Sequence, residues 1–272
     1  MKTTFSIFFL SLGVLAAHAA NLATDNASET AYSGGWVAGA NGGSGFQAWT
    51  FDRNDGASIV RTNVVGGVTN TVTNTVFSGG FIGDSTQNFR DSINSTGNKA
   101  FSFYANVTGG SEAFVSAYRK FTGGALSVGQ TFSFDYSQSW NTGNRGFNFL
   151  AGGTQILNLG LGGGSDALSF GGTTIYPNIY NEAIRFSFEA MSATQLRITF
   201  TPLSSETLTA QTSTAAVTAL PDEFQFYYSG GDGNGNNEPF FNNLSVVPEP
   251  STPLLMGLGL AGLLALRKTR KT

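Results

Sequence analysis

The stretch Thr131-Phe-Ser-Phe-Asp-Tyr-Ser137 shows the pattern that decides the fold. Aromatic residues take one set of alternate positions, Phe132, Phe134 and Tyr136, and polar residues take the positions between them. Successive side chains of a β-strand point to opposite faces of the sheet. The alternation therefore predicts a strand with one buried face and one solvated face, as in antiparallel sheets.

The same period of two recurs along the chain. Its apolar positions are Phe101, Phe103, Ala105 and Val107; Ile184, Phe186, Phe188 and Ala190; Leu196, Ile198 and Phe200; and Phe224, Phe226 and Tyr228. Breaks rich in Gly, Asn and Ser separate these runs, and no helical periodicity interrupts them. The pattern predicts an all-β, antiparallel, jelly-roll-like sandwich, with a closed barrel or a β-helix as alternatives. We expect the final strand, near Phe240–Val247, to lie beside an early strand near Ala31–Val37.

One segment, Ser58–Phe77, is rich in Val, Thr and Asn and contains Gly66-Gly67 at its centre. Two glycines between two strand-forming arms predict a tight hairpin turn. The second arm alternates Val and Asn with Thr, so neither of its faces is clearly apolar. We interpret the segment as a projecting or edge hairpin, with an adhesive low-complexity surface as the alternative.

Composition excludes several kinds of chemistry. The chain of 272 residues has no Cys, and its only His is His18, near the N-terminus. A body without His or Cys has no Ser-His-Asp triad, no histidine general base, no cysteine nucleophile and no ordinary zinc site. Between residues 20 and 247, nine Lys and Arg face sixteen Asp and Glu, a net charge of −7. An acidic body argues against binding to nucleic acid.

The N-terminus has the features of an export signal. Lys2 precedes an apolar stretch from Phe5 to Ala17, which ends in Ala17-His18-Ala19. A basic start, a short apolar run and small residues at the end predict a signal helix over 1–19 that signal peptidase removes. The alternative is a buried N-terminal helix. The signal is favoured because the run is too short to span a bilayer and ends in the small residues that signal peptidase needs.

The C-terminus has three parts. Pro248-Glu249-Pro250 is followed by the apolar run Leu254–Leu266 and then by a basic cluster, Arg267, Lys268, Arg270 and Lys271. The two prolines keep the segment extended and unable to continue a strand. Thirteen apolar residues predict a short transmembrane helix of about 20 Å. The basic cluster would then anchor the tail on the cytoplasmic side.

This tail resembles the PEP-CTERM sorting signal of Gram-negative bacteria. The resemblance covers residues 248–272 and divides the chain into a signal peptide (1–19), a β-sandwich body (20–247) and a sorting signal. It implies an exosortase-type processing enzyme that recognises Pro248, Glu249 and Pro250, and an exported protein that is transiently membrane-anchored and then at the cell surface or outside the cell. It also implies a link to exopolysaccharide and biofilm matrix. A plain tail anchor is the alternative.

A polar loop near the end of the body could bind calcium. Oxygen-bearing side chains occupy alternate positions, Asp232, Asn234, Asn236 and Glu238, with Gly between the first of them. Calcium takes six to eight oxygen ligands, which such a loop can supply. The loop departs from the known calcium-loop patterns, and a flexible polar turn is the alternative interpretation.

Two other residue sets suggest carbohydrate chemistry. Paired carboxylates can hydrolyse glycosidic bonds without His, and the candidates are Asp135, Glu182, Glu189 and Glu223. Exposed tryptophans stack on sugar rings, and the candidates are Trp36, Trp49 and Trp140. Tryptophan is usually buried, so we expect core packing for most of them. Trp140 is the best candidate for glycan contact because its surroundings, rich in Ser, Asn and Gly, predict a loop.

Three functions compete at this point. The first is a non-enzymatic surface or extracellular-matrix protein sorted through its tail. The second is a secreted carbohydrate-binding module that uses Trp140, and the third is a carboxylate-based glycan hydrolase or lyase.

Overall fold

The structure, a computed structural model, describes residues 21–248 except 66, 88–90, 108–111, 140–141, 162–165, 206 and 235–236. The side chains of residues 63–65 and 68 are also outside the description. The signal and sorting helices predicted over 1–19 and 254–266 lie outside the described residues. Within them, no helix is long and apolar enough to cross a membrane.

The described part of the chain is built from seventeen β-strands and one short 3₁₀ turn, Thr30–Tyr32. The strands are β1 (Ala23–Asp25), β2 (Thr50–Arg53), β3 (Ser58–Val65), β4 (Val68–Thr75), β5 (Phe77–Gly83), β6 (Ala100–Asn106), β7 (Phe114–Lys120), β8 (Thr131–Ser137), β9 (Asn144–Ala151), β10 (Thr154–Gly160), β11 (Leu168–Phe170), β12 (Thr173–Tyr176), β13 (Ala183–Ser192), β14 (Gln195–Pro202), β15 (Gln211–Ala216), β16 (Glu223–Ser229) and β17 (Phe240–Val247).

Two antiparallel sheets contain most of these strands. The larger sheet has the order β15-β14-β13-β8-β17-β6-β5, and β1 also pairs with β17. The smaller sheet has the order β10-β9-β16-β7-β2. Two hairpins, β3–β4 and β11–β12, stand as separate two-stranded sheets. The prediction of an all-β fold with antiparallel sheets is confirmed.

Phenylalanine rings fill the space between the two sheets. Phe134 of β8 lies 4.9 Å from Phe147 of β9 and 4.9 Å from Phe226 of β16, measured between ring centroids. Phe226 lies 4.3 Å from Phe241 of β17. All of these side chains are buried, as the alternation predicted. The two sheets therefore form a β-sandwich with an aromatic core.

The expected partner of the last strand was wrong. β17 pairs with β1, with Ala23 opposite Val246, and not with Ala31–Val37. That segment contains the 3₁₀ turn and Gly35, whose φ of 103° interrupts an extended backbone. The Leu22 amide donates to the Val246 carbonyl at 2.8 Å. The start and the end of the body therefore lie side by side.

A buried amide joins β17 to its neighbours. The Asn242 side chain accepts a hydrogen bond from the Ala27 amide at 3.0 Å and donates to the carbonyls of Ile93 and Lys99 at 2.8 and 2.9 Å. Asn242 has no exposed surface. It lies where β17 changes partner from β6 to β1, so it satisfies backbone groups that no strand pairs there.

Candidate functional site

The polar loop proposed for calcium is held by its own hydrogen bonds. Asp232 accepts a hydrogen bond from the Asn234 amide at 3.0 Å and from the Asn237 side chain at 2.7 Å. Glu238 is buried, with 8% of its surface exposed, and Asn236 lies outside the described residues. The Asp232 carboxylate therefore organises the turn, and the calcium site stays a prediction.

The four carboxylates considered for glycan hydrolysis have separate surroundings. Asp135 makes two hydrogen bonds with the Arg185 guanidinium at 2.7 and 3.0 Å, and Glu189 pairs with Arg197 at 2.9 Å. Glu223 belongs to the other sheet. Burial raises the pKa of Glu182, whose Oε1 accepts from Ser205. Asp135 and Glu189 therefore each pair with an arginine on a strand face, as carboxylates that stabilise a fold do.

Two of the three tryptophans are buried. Trp36 and Trp49 pack edge to face at 5.1 Å between ring centroids and are 1% and 0% exposed. They belong to the core, as expected for most tryptophans. Trp140 lies outside the described residues, so its contact with glycan stays a prediction.

The outer face of the five-stranded sheet carries a continuous row of uncharged hydrogen-bonding side chains, which we call the amide row. It consists of Asn158, Asn148, Gln225, Ser116, Tyr118 and Tyr227. These residues occupy the outward positions of β10, β9, β16 and β7, opposite the inward phenylalanines. The strand register brings Asn148 directly opposite both Asn158 and Gln225.

Hydrogen bonds run through the amide row in one direction. Asn158 donates to the Asn148 oxygen at 2.7 Å, and Asn148 donates to the Gln225 oxygen at 2.6 Å. Gln225 donates to both the Ser116 and the Tyr118 hydroxyls at 2.9 Å. The mutual bonds fix the rotamers of the amides, so the row is preorganised before any ligand arrives.

Tyr227 covers the neighbouring strand at one end of the row. It lies directly opposite Gly146, and a Cβ atom at position 146 would approach the Tyr227 hydroxyl to 2.5 Å. The Tyr227 hydroxyl accepts a hydrogen bond from Asn158 at 3.1 Å. The outer end of the ring therefore lies over Gly146, where only glycine leaves space for it.

A cleft of about 300 Å³ opens on this face, and the residues that line it include Phe114, Asn148, Asn158, Gln225 and Tyr227. No charged side chain is among the described residues that line it. Burial raises the pKa of Tyr118 and of Tyr227, so both phenols stay neutral at physiological pH. The cleft therefore combines fixed amides and hydroxyls with aromatic surface, and it carries no charge.

The sequence marks two residues of the amide row, but strand alternation alone does not show that they meet. Asn148 stands between Phe147 and Phe149, and Gln225 stands between Phe224 and Phe226. An uncharged amide between two inward phenylalanines marks a polar outward position. Only the register of β9 on β16 shows that the two amides meet.

Fold and cleft together define an all-β sandwich protein whose smaller sheet carries a cleft lined, among the described residues, by uncharged side chains. A family model described as the PEP-CTERM protein-sorting motif matches residues 246–271. The chain therefore carries this sorting motif, beginning at the end of β17, and the predicted resemblance of the tail is confirmed. The motif implies export and membrane-associated processing by an exosortase-type enzyme.

No match was found among curated proteins. Among solved structures, the chain is similar to the botulinum neurotoxin serotype D binding domain, with 8% identity and a TM-score of 0.33 over 71% of this chain and 48% of that one. It is similar to the T. cruzi calreticulin globular domain, with 9% identity and a TM-score of 0.37 over 82% and 94%. It is also similar to the metal-free form of lectin I-B4 from Griffonia simplicifolia, with 12% identity and a TM-score of 0.23 over 74% and 92%. The chain spans about half the length of the first of these structures.

Proposed function

We propose that this chain is a non-enzymatic surface or extracellular-matrix protein, built on a jelly-roll-like sandwich and displayed by a Gram-negative bacterium. The observation that carries the proposal is the sorting motif at residues 246–271, which begins within the last two residues of β17. Under this proposal signal peptidase removes residues 1–19, and an exosortase-type enzyme processes the tail while its apolar helix holds the membrane. The sandwich then works by binding and not by catalysis.

The side-by-side ends of the body suit such processing. Because β1 pairs with β17, the chain enters the sandwich next to the point where it leaves. Pro248 follows β17 and has no backbone N–H with which to extend the sheet. Cleavage beyond Pro248 therefore removes none of the strands that the structure describes, and their buried core stays whole.

Mass spectrometry of the mature protein from the native host tests the sorting proposal. We expect its C-terminus to lie near Pro248–Pro250 and its N-terminus to begin near Ala20. Glu249→Ala should leave the tail attached, because the processing enzyme recognises this motif, whereas Pro253→Ala, outside the motif, should be processed normally. A wild-type protein that reaches Thr272 would contradict the proposal.

We propose as a second function that the cleft on the amide row binds a neutral polysaccharide. Sugar hydroxyls donate and accept hydrogen bonds, and amide and hydroxyl side chains do the same. The bonds that fix Gln225 and Asn148 lower the entropic cost of binding. Phe114 and Tyr227 add apolar surface against which a sugar ring can pack. The absence of charge on the described lining favours a neutral ligand over an acidic one.

Replacing Gln225 tests this second function. Gln225→Ala removes the centre of the amide row, and we expect affinity for the bound polysaccharide to fall at least about tenfold, since the neighbouring amides lose their fixed orientation. Gln211→Ala is the matched control, because Gln211 is an exposed amide on β15 of the other sheet. A glycan array of the wild-type chain identifies the ligand, and affinity electrophoresis in gels that contain it measures both variants. Equal binding by wild type and Gln225→Ala would exclude the amide row as the site.

A further inference from the structure

The β3–β4 hairpin stands apart from the sandwich. Its eight residue pairs run from Ser58 opposite Thr75 to Val65 opposite Val68, which confirms the predicted hairpin. Arg61 forms an ion pair with Glu112 at 2.5 Å, and Ile59 packs against the core, so the body holds the base of the hairpin. Val60 and Val72 are 62% and 54% exposed.

The outer edge of β4 presents a row of backbone N–H and C=O groups that could pair with a further strand. Among the described residues, β4 pairs with β3 and with no other strand. Residues 68–75 contain no charge, no proline and no glycine. Exposed edge strands usually carry charged residues or proline, because these residues block pairing with another chain. This edge is therefore chemically open to a further strand.

The sequence of β4 is complementary to itself. Residues 69–76 are two copies of Thr-Asn-Thr-Val. When two such strands pair antiparallel about Val72, Val72 faces Val72, Thr71 faces Thr73 and Asn70 faces Asn74. Like residues also meet when the centre moves to Asn70 or Asn74, but those registers overlap over fewer residues. Val76 is buried and bonded to Ala57, so residues 69–75 give the longest register.

We propose that two copies of this chain associate by antiparallel pairing of β4 with β4 about Val72. The pairing joins the two hairpins into a four-stranded sheet related by a two-fold axis, in which β-branched Thr and Val residues meet across the strands. No charge on β4 opposes it. The contact is small, so each pair is weak, and it becomes effective where many copies are held close together, as on a surface or in a matrix.

A single cysteine tests the pairing, since the chain has none of its own. Residues directly opposite in antiparallel strands have Cα atoms about 4.5–5.5 Å apart, which suits a disulfide. We expect full-length Val72→Cys, under mild oxidation, to form a covalent dimer about tenfold faster than Val60→Cys. Val60 is similarly exposed on the same hairpin but lies on β3. Association through the tail would accelerate both variants alike, and equal rates would overturn the proposal.

Charge placed at the two-fold axis provides an independent test. Val72→Lys and Val72→Glu each bring two like charges together in the dimer, so each should sediment as less dimer than wild type at the same concentration. An equal mixture of the two variants should restore the dimer, because opposite charges then meet. Val60→Lys should leave association unchanged. Failure of the mixture to associate more than either variant alone would contradict pairing at Val72.

Discussion

Replacing Arg119 by Met is expected to lower the free energy of unfolding by about 3–5 kcal/mol, because the change leaves a buried carboxylate without its partner. Arg119 and Asp25 form an ion pair in which neither side chain has exposed surface. Urea unfolding of the full-length chain in mild detergent, followed by tryptophan fluorescence, measures the change. Trp36 and Trp49 lie in the same core and report on it.

The surroundings of Arg119 explain the size of this effect. Its guanidinium donates to the Gln47 and Gly42 carbonyls at 2.6 and 2.8 Å and to the Asn41 side chain at 2.7 Å. It also lies 4.9 Å from the centre of the Phe46 ring and 5.0 Å from that of Trp49. One residue of β7 therefore holds the long segment between β1 and β2. Methionine keeps the packing and loses all of these hydrogen bonds.

The stability that Arg119→Met loses relative to wild type should be smaller at low pH. Burial raises the pKa of Asp25, and attraction to Arg119 opposes that rise. Without Arg119 the pKa of Asp25 rises further, so the folded variant holds a proton that the unfolded chain releases. Stability of the variant therefore increases as the pH falls through this raised pKa. We expect a smaller difference from wild type at about pH 5 than at about pH 8.

Arg197→Met is the matched control. Arg197 also pairs with a carboxylate, Glu189, but 42% of its side chain is exposed. Solvent screens such pairs, and their loss costs about 0–1 kcal/mol. If both substitutions cost the same, or if the Arg119→Met effect does not change with pH, the buried pair does not stabilise the fold in the way described.

Strand alternation predicts which side chains of β7 and β8 point inward, but not what they meet. Arg119 follows Val115 and Ala117 on the inward face of β7, so its burial is readable from the period of two. Its partner is ninety-four residues away in sequence. Tyr32, which binds the same carboxylate oxygen, belongs to a 3₁₀ turn that no periodicity marks. Pairings between distant residues are decided by sheet order, and local pattern carries no information about that order.

The same limit applies to the last strand and to the candidate site. The last strand was predicted at its observed bounds, Phe240–Val247, but β1 has only three residues and alternation does not mark it. The predicted pairing of β17 with residues 31–37 was wrong for that reason. The amide row is formed by side chains from four strands. Each amide is visible in the sequence as a polar position between two apolar residues, phenylalanines for Asn148 and Gln225 and leucines for Asn158. Their contact requires the register of three neighbouring strand pairs, which only the folded chain supplies.

A second large loss of stability is expected from a substitution in the aromatic core. Phe134→Ala is expected to lower the free energy of unfolding by about 3–5 kcal/mol, since it removes a buried ring and leaves a cavity. Phe134 has no exposed surface. Six rings surround it with centroids 4.9–6.4 Å away, those of Phe132, Phe147, Phe186, Phe188, Phe226 and Phe241. The same urea titration measures the change.

Phe77→Ala is the matched control for Phe134→Ala. It removes a phenylalanine that is not in the core. Phe77 lies on the edge strand β5 and is 60% exposed, so its removal should change stability by less than about 1 kcal/mol. The cavity at Phe134 cannot close easily, because the surrounding rings belong to strands of both sheets whose spacing is set by backbone pairing. A small effect of Phe134→Ala would mean that the two sheets move together on its loss. The rings between the sheets would then be loosely packed, and the sandwich would be held mainly by its strand pairing and by the Asp25–Arg119 pair.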